Sequence, residues 1–272
     1  RMNSLPMPHL EVRGVSVSVA GRSLVESLDI DLTGGEIVAL LGKNGAGTTL
    51  LLHTLAGLRQ PELGTVRVLG DTRDTLRPRE FARRLALLPQ DSEDIFPSSV
   101  LETALIGRHP HIGRFGWESS ADVDAALTAL EAVGLADLRD RDVLSLSGGE
   151  RRRLAIAQCL VQDAPIMLLD EPTNHLDPHH RVDTLELLEQ QARQGKAILM
   201  SLHDVNFAAR FADRCLLLFG DGSWQLGETG AILSTETLET LYGISMEALP
   251  WRGTDFFVPA FKSRDRQAGR DR

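Results

Sequence analysis

The chain has 272 residues, 42% of them hydrophobic, and a formal net charge of −9, with a pI near 5.4; this length supports one large domain or a core with subdomains. The acidic balance argues against a nucleic-acid partner, because affinity for a phosphate backbone comes from clustered Lys and Arg. The apolar runs fall far short of the about 20 residues needed to cross a bilayer, and Cys159 and Cys215 lie in apolar runs without metal-ligand spacing, as buried free thiols in a reducing compartment do.

The start, Arg1-Met2-Asn3-Ser4, has no apolar stretch of signal-peptide type, so a cytoplasmic chain is expected. From Leu10 to Leu32 apolar and polar residues alternate around Gly21-Arg22, which predicts an antiparallel hairpin with one wet face. Ile37 to Leu41 is continuously apolar and predicts a parallel strand buried on both faces.

Next comes Gly42-Lys43-Asn44-Gly45-Ala46-Gly47-Thr48-Thr49-Leu50-Leu51. Its spacing fits the strand–GxxxxGK[ST]–helix phosphate loop everywhere except the lysine position, where Thr48 stands. Glycines let backbone N–H groups turn toward phosphates. The following helix adds partial positive charge, and Thr49 is placed to offer its hydroxyl to Mg²⁺. That helix is predicted to end at Gly57, and a further strand lies within Gly64 to Gly70, before an Arg-rich helical stretch and the short strand Leu85 to Leu88.

From about Ser92 to Ser145 the pattern turns helical, with Val100 to Ile106 and Ala121 to Val133 as helices and no convincing strand. From Ser147 strands and helices alternate: helix to Val161, strand Ile166 to Leu169, helix Val182 to Gln191, strand Ala197 to Ser201, helix Val205 to Phe211, strand Cys215 to Leu218. Alternation of this kind predicts a mostly parallel sheet. Short helical and strand signals follow to about Phe261, and the charged stretch Lys262 to Arg272 is expected to be disordered.

Ile166 to Leu169 runs into Asp170-Glu171-Pro172. Ligands of open parallel sheets bind beyond the carboxyl ends of the strands, which brings both carboxylates beside the phosphate loop. Asp170 is the natural Mg²⁺-side ligand, and Glu171 is placed to polarise an attacking water. Ser147-Gly148-Gly149-Glu150 has capping-box spacing at a helix start.

A phosphate loop, then the Ser147 stretch, then the Asp-Glu strand is an order that resembles the ATP-binding cassette ATPases over roughly residues 10 to 245. The resemblance implies a P-loop NTPase (RecA-like) α/β core, an N-terminal antiparallel β-subdomain and a helical subdomain inserted at about 92–145, all within one domain of 8–261. It implies that Gly42, Asn44, Gly45, Ala46, Gly47, Thr48, Thr49 and Leu50 hold ATP. It makes Ser147, Gly148, Gly149 and Glu150 the signature that contacts the ATP of a second copy, with Asp177 in Asn174-His175-Leu176-Asp177 on the loop that crosses between copies. Gln90, after Leu87-Leu88-Pro89, matches the glutamine that senses Mg²⁺ and attacking water, and His203 matches the histidine that contacts the γ-phosphate.

Two positions depart from that pattern. No aromatic precedes Gly21, where Val19-Ala20 stand in place of an adenine-stacking ring, and the sole tyrosine is Tyr242. Thr48 removes a full positive charge beside the phosphates. An altered position, natural impairment and a substitute role for Lys43 are the alternatives; because the other catalytic positions are intact, the first is favoured.

Leu105-Ile106-Gly107-Arg108-His109-Pro110-His111, with Trp117-Glu118, Ala121-Asp122 and the later Leu241-Tyr242-Gly243-Ile244, resembles the ATPase subunits of bacterial importers for iron–siderophores, haem and cobalamin. A metal site at His109 and His111 is disfavoured, because no Cys or carboxylate completes a ligand set. The resemblance implies a peripheral subunit on the cytoplasmic face of the inner membrane, working with a second copy, membrane permease subunits and, indirectly, a periplasmic binding protein. A cassette ATPase of DNA repair or translation, or an inactive nucleotide-binding regulatory subunit, is the alternative.

Overall fold

A computed structural model describes residues 7–90, 97–113, 116–251 and 253–260. Arg1 to Ser4, the Ser92 end of the expected insertion, and Phe261 to Arg272 lie outside them.

Strands β1 (Leu10–Val19) and β2 (Arg22–Leu32) form the expected hairpin. Its turn residues Ala20 and Gly21 have φ of 49° and 78°, the pair of positive values that a two-residue turn matched to strand twist requires. Then follow β3 (Ile37–Gly42), α1 (Thr48–Leu55), β4 (Leu63–Val68), β5 (Asp71–Thr72), α2 (Pro78–Ala82) and β6 (Leu85–Leu88). The insertion contributes α3 (Val100–Leu105) and α4 (Ser120–Ala132). After it come α5 (Gly148–Gln162), β7 (Ile166–Leu169), α6 (Pro178–Arg193), β8 (Ala197–Ser201), α7 (Val205–Phe211), β9 (Arg214–Leu218) and β10 (Trp224–Glu228). The last elements are α8 (Thr229–Ile232), α9 (Thr235–Tyr242) and the hairpin β11 (Met246–Trp251) and β12 (Thr254–Pro259).

One sheet has the order β2-β1-β4-β5 and is antiparallel. The other runs β10-β9-β3-β8-β7-β6 and is parallel except for β10. Strands β3, β7 and β8 are buried at every position, because both faces of the parallel sheet are covered. Alternate side chains explain how. Val38, Leu40, Ile166, Leu168 and Leu199 pack toward α1 and the antiparallel sheet. Ala39, Leu41, Met167, Leu169 and Met200 pack toward the insertion and the helices that follow it. A continuous apolar run was therefore required for these strands, whereas the two-sided β1 and β2 could alternate.

Several boundaries differ from expectation by one to four residues, and two of them have a clear physical cause. Helix α6 begins four residues early because Asp177 caps it, accepting from the His180 N–H at 3.0 Å, and Pro178 occupies the first helical position. The polar turn His179-His180-Arg181 carries no apolar period to announce it. Strand β9 takes in Arg214, whose guanidinium bonds Glu36 at 2.9 Å rather than standing outside the sheet.

The importer-like stretch has a packing role. A Cβ at Gly107 would lie 2.4 Å from the Gln158 carbonyl oxygen, so only glycine lets this turn lie against α5. Arg108 then donates to Asp122 at 2.8 Å and to the Val161 carbonyl at 3.1 Å. His111 Nε2 lies 2.8 Å from the Gln162 carbonyl, which ties this ring to the end of α5. Both cysteines are buried, and burial pushes the Cys159 thiol up to about 12 and that of Cys215 up to about 11.

Asp122 gives the fold an acid-sensitive joint. The Ser119 N–H and hydroxyl, with the Arg108 guanidinium after them, hold its carboxyl down at about 2, against an ordinary 3.8. A folded-state pKa below the unfolded one stabilises above the unfolded value, so this contribution is present above about pH 4 and is lost as pH falls toward about 2. Asp122→Asn is expected to flatten the fall of Tm across that window, measured by thermal melts at stepped pH. A slope equal to that of the parent chain would remove Asp122 from the acid limb.

Candidate active site

The carboxyl ends of β3, β8, β7 and β6 are neighbours on one edge of the parallel sheet, so the residues just beyond them meet. Past β3, the loop Lys43 to Gly47 turns into α1, with Ala46 N–H donating to the Lys43 carbonyl at 2.9 Å. Gly47 has φ of 103°, and a Cβ there would lie 2.9 Å from that of Leu24; both the backbone and the neighbour demand glycine. No side chain caps α1, so its first N–H groups remain available to an anion.

Beyond β6, β7 and β8, four side chains form a chain of contacts with Thr49. The Thr49 hydroxyl donates to Gln90 Oε1 at 3.5 Å, and Gln90 Nε2 donates to Glu171 Oε1 at 3.2 Å. His203 Nε2 stands 2.7 Å from the same Glu171 oxygen. Asn174 Nδ2 donates to Glu171 Oε2 at 3.0 Å. One carboxylate thus collects three nitrogens and is fixed in orientation before any substrate arrives. The arrangement can accept a proton from a water held against it, with His203 within reach of the same water.

The backbone under Glu171 is held just as firmly. Glu171 has φ of 50°, a left-handed conformation that costs a non-glycine residue about 1–3 kcal/mol. Its N–H donates to Ser201 Oγ at 2.8 Å, and the Ser201 hydroxyl donates to Asp170 Oδ1 at 2.6 Å. Arg152, 5% exposed, donates to the Pro89 and Gln90 carbonyls at 2.6 and 3.0 Å and to the Glu171 carbonyl at 2.9 Å. It also donates to the Asp170 carbonyl.

Asp170 is fully buried, and among the described residues its Oδ2 accepts no hydrogen bond. A buried carboxylate oxygen left open at the end of β7, next to Glu171, suits a divalent cation or its water.

Gln90, Asp170, Glu171, His203 and Thr49 are therefore brought together as the sequence led one to expect. The signature residues form a separate group. Ser147 N–H donates to Glu150 Oε2 at 2.7 Å and Glu150 N–H to Ser147 Oγ at 3.3 Å, and the serine hydroxyl holds the Glu150 carboxyl below its usual range. A Cβ at Gly149 would lie 3.2 Å from the His175 carbonyl, so this glycine pair packs on the loop that ends at Asp177. Asp177 itself caps α6 within this chain.

Tyr242 is half-buried against the core, its hydroxyl pushed up to about 12 by burial, and takes no part in the site. Val19 is exposed. Arg152 was missed by sequence reasoning, although the helical period running back from Cys159 through Ile156 lands on it and passes over Arg151 and Arg153. Ser201 carried no such signal, since any small strand residue would have fitted the apolar run.

Residues 25–174 match the ABC transporter family. The chain is 38% identical to the hemin import ATP-binding protein HmuV of Myxococcus xanthus, over 90% of this chain and 94% of that protein. It is 40% identical to HmuV of Deinococcus radiodurans, over 87% and 90%. It is 36% identical to the cobalamin import ATP-binding protein BtuD of Halobacterium salinarum and spans 58% of that protein's length. A solved inward-facing conformation of a protein described as a metal-chelate type ABC transporter superposes with a TM-score of 0.81 at 30% identity, covering 93% of this chain and 98% of that one. With a phosphate loop, an Asp-Glu strand end and a signature helix arranged on this fold, the chain belongs to the ABC transporter family of ATP-binding cassettes.

Proposed function

We propose that this chain is the ATP-binding and hydrolysing motor subunit of an importer for a metal chelate, of the haem, cobalamin or iron–siderophore class. The observation that carries the reading is the chain Thr49–Gln90–Glu171–His203 at the mouth of the phosphate loop, which joins the nucleotide's seat to a fixed carboxylate. Two copies would enclose two ATPs between phosphate loops and opposing Ser147–Glu150 signatures, and the surface near Gln90 and the helical insertion would receive a permease. ATP binding closes the pair, and hydrolysis with release reopens it, so nucleotide state becomes permease conformation.

Thr49 and Asp170 would hold Mg²⁺, with Gln90 beside them; when bound, the ion neutralises charge developing on the β- and γ-phosphates. Glu171 takes the proton of the attacking water, and His203 and Gln90 hold that carboxylate in place. Among the described residues no helix is long and apolar enough to cross a membrane, in keeping with a subunit that acts through a separate permease.

Thr48 favours a second reading, a nucleotide-binding regulatory subunit with little turnover of its own. Reconstituting the chain in vesicles with the permease encoded beside it, and measuring ATP-driven uptake of haem, cobalamin and a ferric siderophore, tests the assignment. Uptake of one of them is the expected result. Assembly with the permease and ATP binding without uptake, even with Thr48→Lys, would support the regulatory reading. A chain that binds nucleic acid and no permease would overturn both.

A further inference from the structure

Arg152 occupies a place that no motif explains. It lies in the second turn of α5, the helix whose first residues are the signature, and its side chain is directed inward. Its Nη1 donates to the Pro89 and Gln90 carbonyls. Its Nη2 donates to the Asp170 and Glu171 carbonyls. One planar guanidinium therefore clamps consecutive carbonyls at the ends of two adjacent parallel strands, β6 and β7. Those carbonyls belong to the two residues, Gln90 and Glu171, whose side chains bond each other at 3.2 Å.

The fork suits this task in a way an ammonium does not. Arg presents five donors in fixed planar geometry, while Lys is a point charge on a flexible stem. Glu171 also holds a left-handed φ of 50°, so its carbonyl direction and its carboxylate position are set together. A helix is a rigid element that can carry coupling, and an anion is favoured at its N-terminus by the dipole.

We propose that Arg152 is a positioning residue that makes the Gln90–Glu171 pair of one copy respond to nucleotide held at that copy's signature by the second copy. The inference rests on the two-copy reading above. When Ser147 to Glu150 engage the neighbouring ATP, the small shift of α5 passes through one guanidinium to both strand ends at once. The general base and the water-sensing glutamine are thereby set together.

The test uses full chains carrying Thr48→Lys, with Arg152→Gln and Arg152→Lys added. Amide hydrogen exchange is followed in segments containing Gln90, Glu171 and the phosphate loop, beside steady-state ATP hydrolysis. In the nucleotide-free chain, Arg152→Gln is expected to raise exchange around Gln90 and Glu171 about tenfold or more while other segments stay as in the parent. With ATP and Mg²⁺, protection should still appear at the phosphate loop and be lost at those two segments. The kcat should fall about tenfold or more with KM within about threefold, and Arg152→Lys should recover little of it. Parental exchange at both segments with kcat within about twofold would overturn the proposal. So would a general loss of Tm in which kcat and nucleotide protection fall together, since that marks a strut and not a positioning residue. If the parent shows no nucleotide protection at its own phosphate loop, the motor reading fails, and the nucleotide-free exchange still decides whether Arg152 sets both strand ends.

Discussion

Thr48→Lys is expected to raise ATP hydrolysis by the full chain about 10²- to 10³-fold, the range found when one positioned donor to a developing charge is gained or lost, about 2.7–4 kcal/mol. Position 48 opens α1, and its Cγ2 lies 3.4 Å from where a Cβ at Gly42 would stand, so it faces the first glycine of the loop from inside the turn. A lysine rooted there runs along the loop toward the β- and γ-phosphates. Lys43 stands in a different setting. It is exposed and lies by Asp221, whose carboxyl is held low first by the Ser223 hydroxyl and N–H and last by the charge of Lys43. Charge shifts toward the bridging oxygen as the γ-phosphoryl departs, so the added cation acts more on the transition state than on bound ATP. Nucleotide affinity should therefore tighten less, about tenfold, the worth of one charge-assisted hydrogen bond. Phosphate release and fluorescent-nucleotide titration measure the two separately. An unchanged rate would mean that position 48 does not limit turnover and would leave the regulatory reading standing.

Much of this was legible in the sequence, for a physical reason that differs by element. Strands β3, β7 and β8 are apolar at nearly every position because both sheet faces are covered, so their extents could be read from the runs alone. Gln90, Glu171 and His203 each stand two residues past the end of a parallel strand, β6, β7 and β8 in turn, and parallel topology obliges those ends to converge. The beginning of α6 was not legible, because a cap and a proline start it without an apolar period. Arg152 escaped for a related reason. A charged residue in a run of three arginines reads as solvated, and its burial is justified by carbonyl partners at the ends of strands distant in sequence. The contact between Asn174 and Glu171 depends on side-chain directions in a tight loop, where His175 at φ of 61° breaks any regular period.

Glu171→Gln, made beside Thr48→Lys so that there is turnover to lose, is expected to lower kcat about 10²- to 10⁴-fold, the worth of a positioned general base. The substitution keeps shape and removes one acceptor. Glu171 Oε1 now accepts from Gln90 and approaches His203 Nε2, while Oε2 accepts from Asn174. An amide can satisfy only one of those sides, and its NH₂ group must then face another donor, so the lost proton acceptor is joined by a disturbed Gln90. ATP affinity should hold within about threefold, because the phosphate loop and the start of α1 bind it without Glu171. With hydrolysis blocked and ATP retained, a two-copy sandwich should persist, visible as an ATP-dependent dimer in size-exclusion chromatography. Glu171→Asp is the informative companion. Aspartate tolerates a left-handed φ better than glutamate, so the fold should not suffer, yet its carboxylate is withdrawn by one methylene from Gln90 and His203. Its rate should fall between those of the parent and Glu171→Gln. If Glu171→Gln keeps its rate while His203→Ala loses it, the proton passes to the imidazole, and the 2.7 Å contact between them makes Glu171 the group that orients the base instead of the base itself.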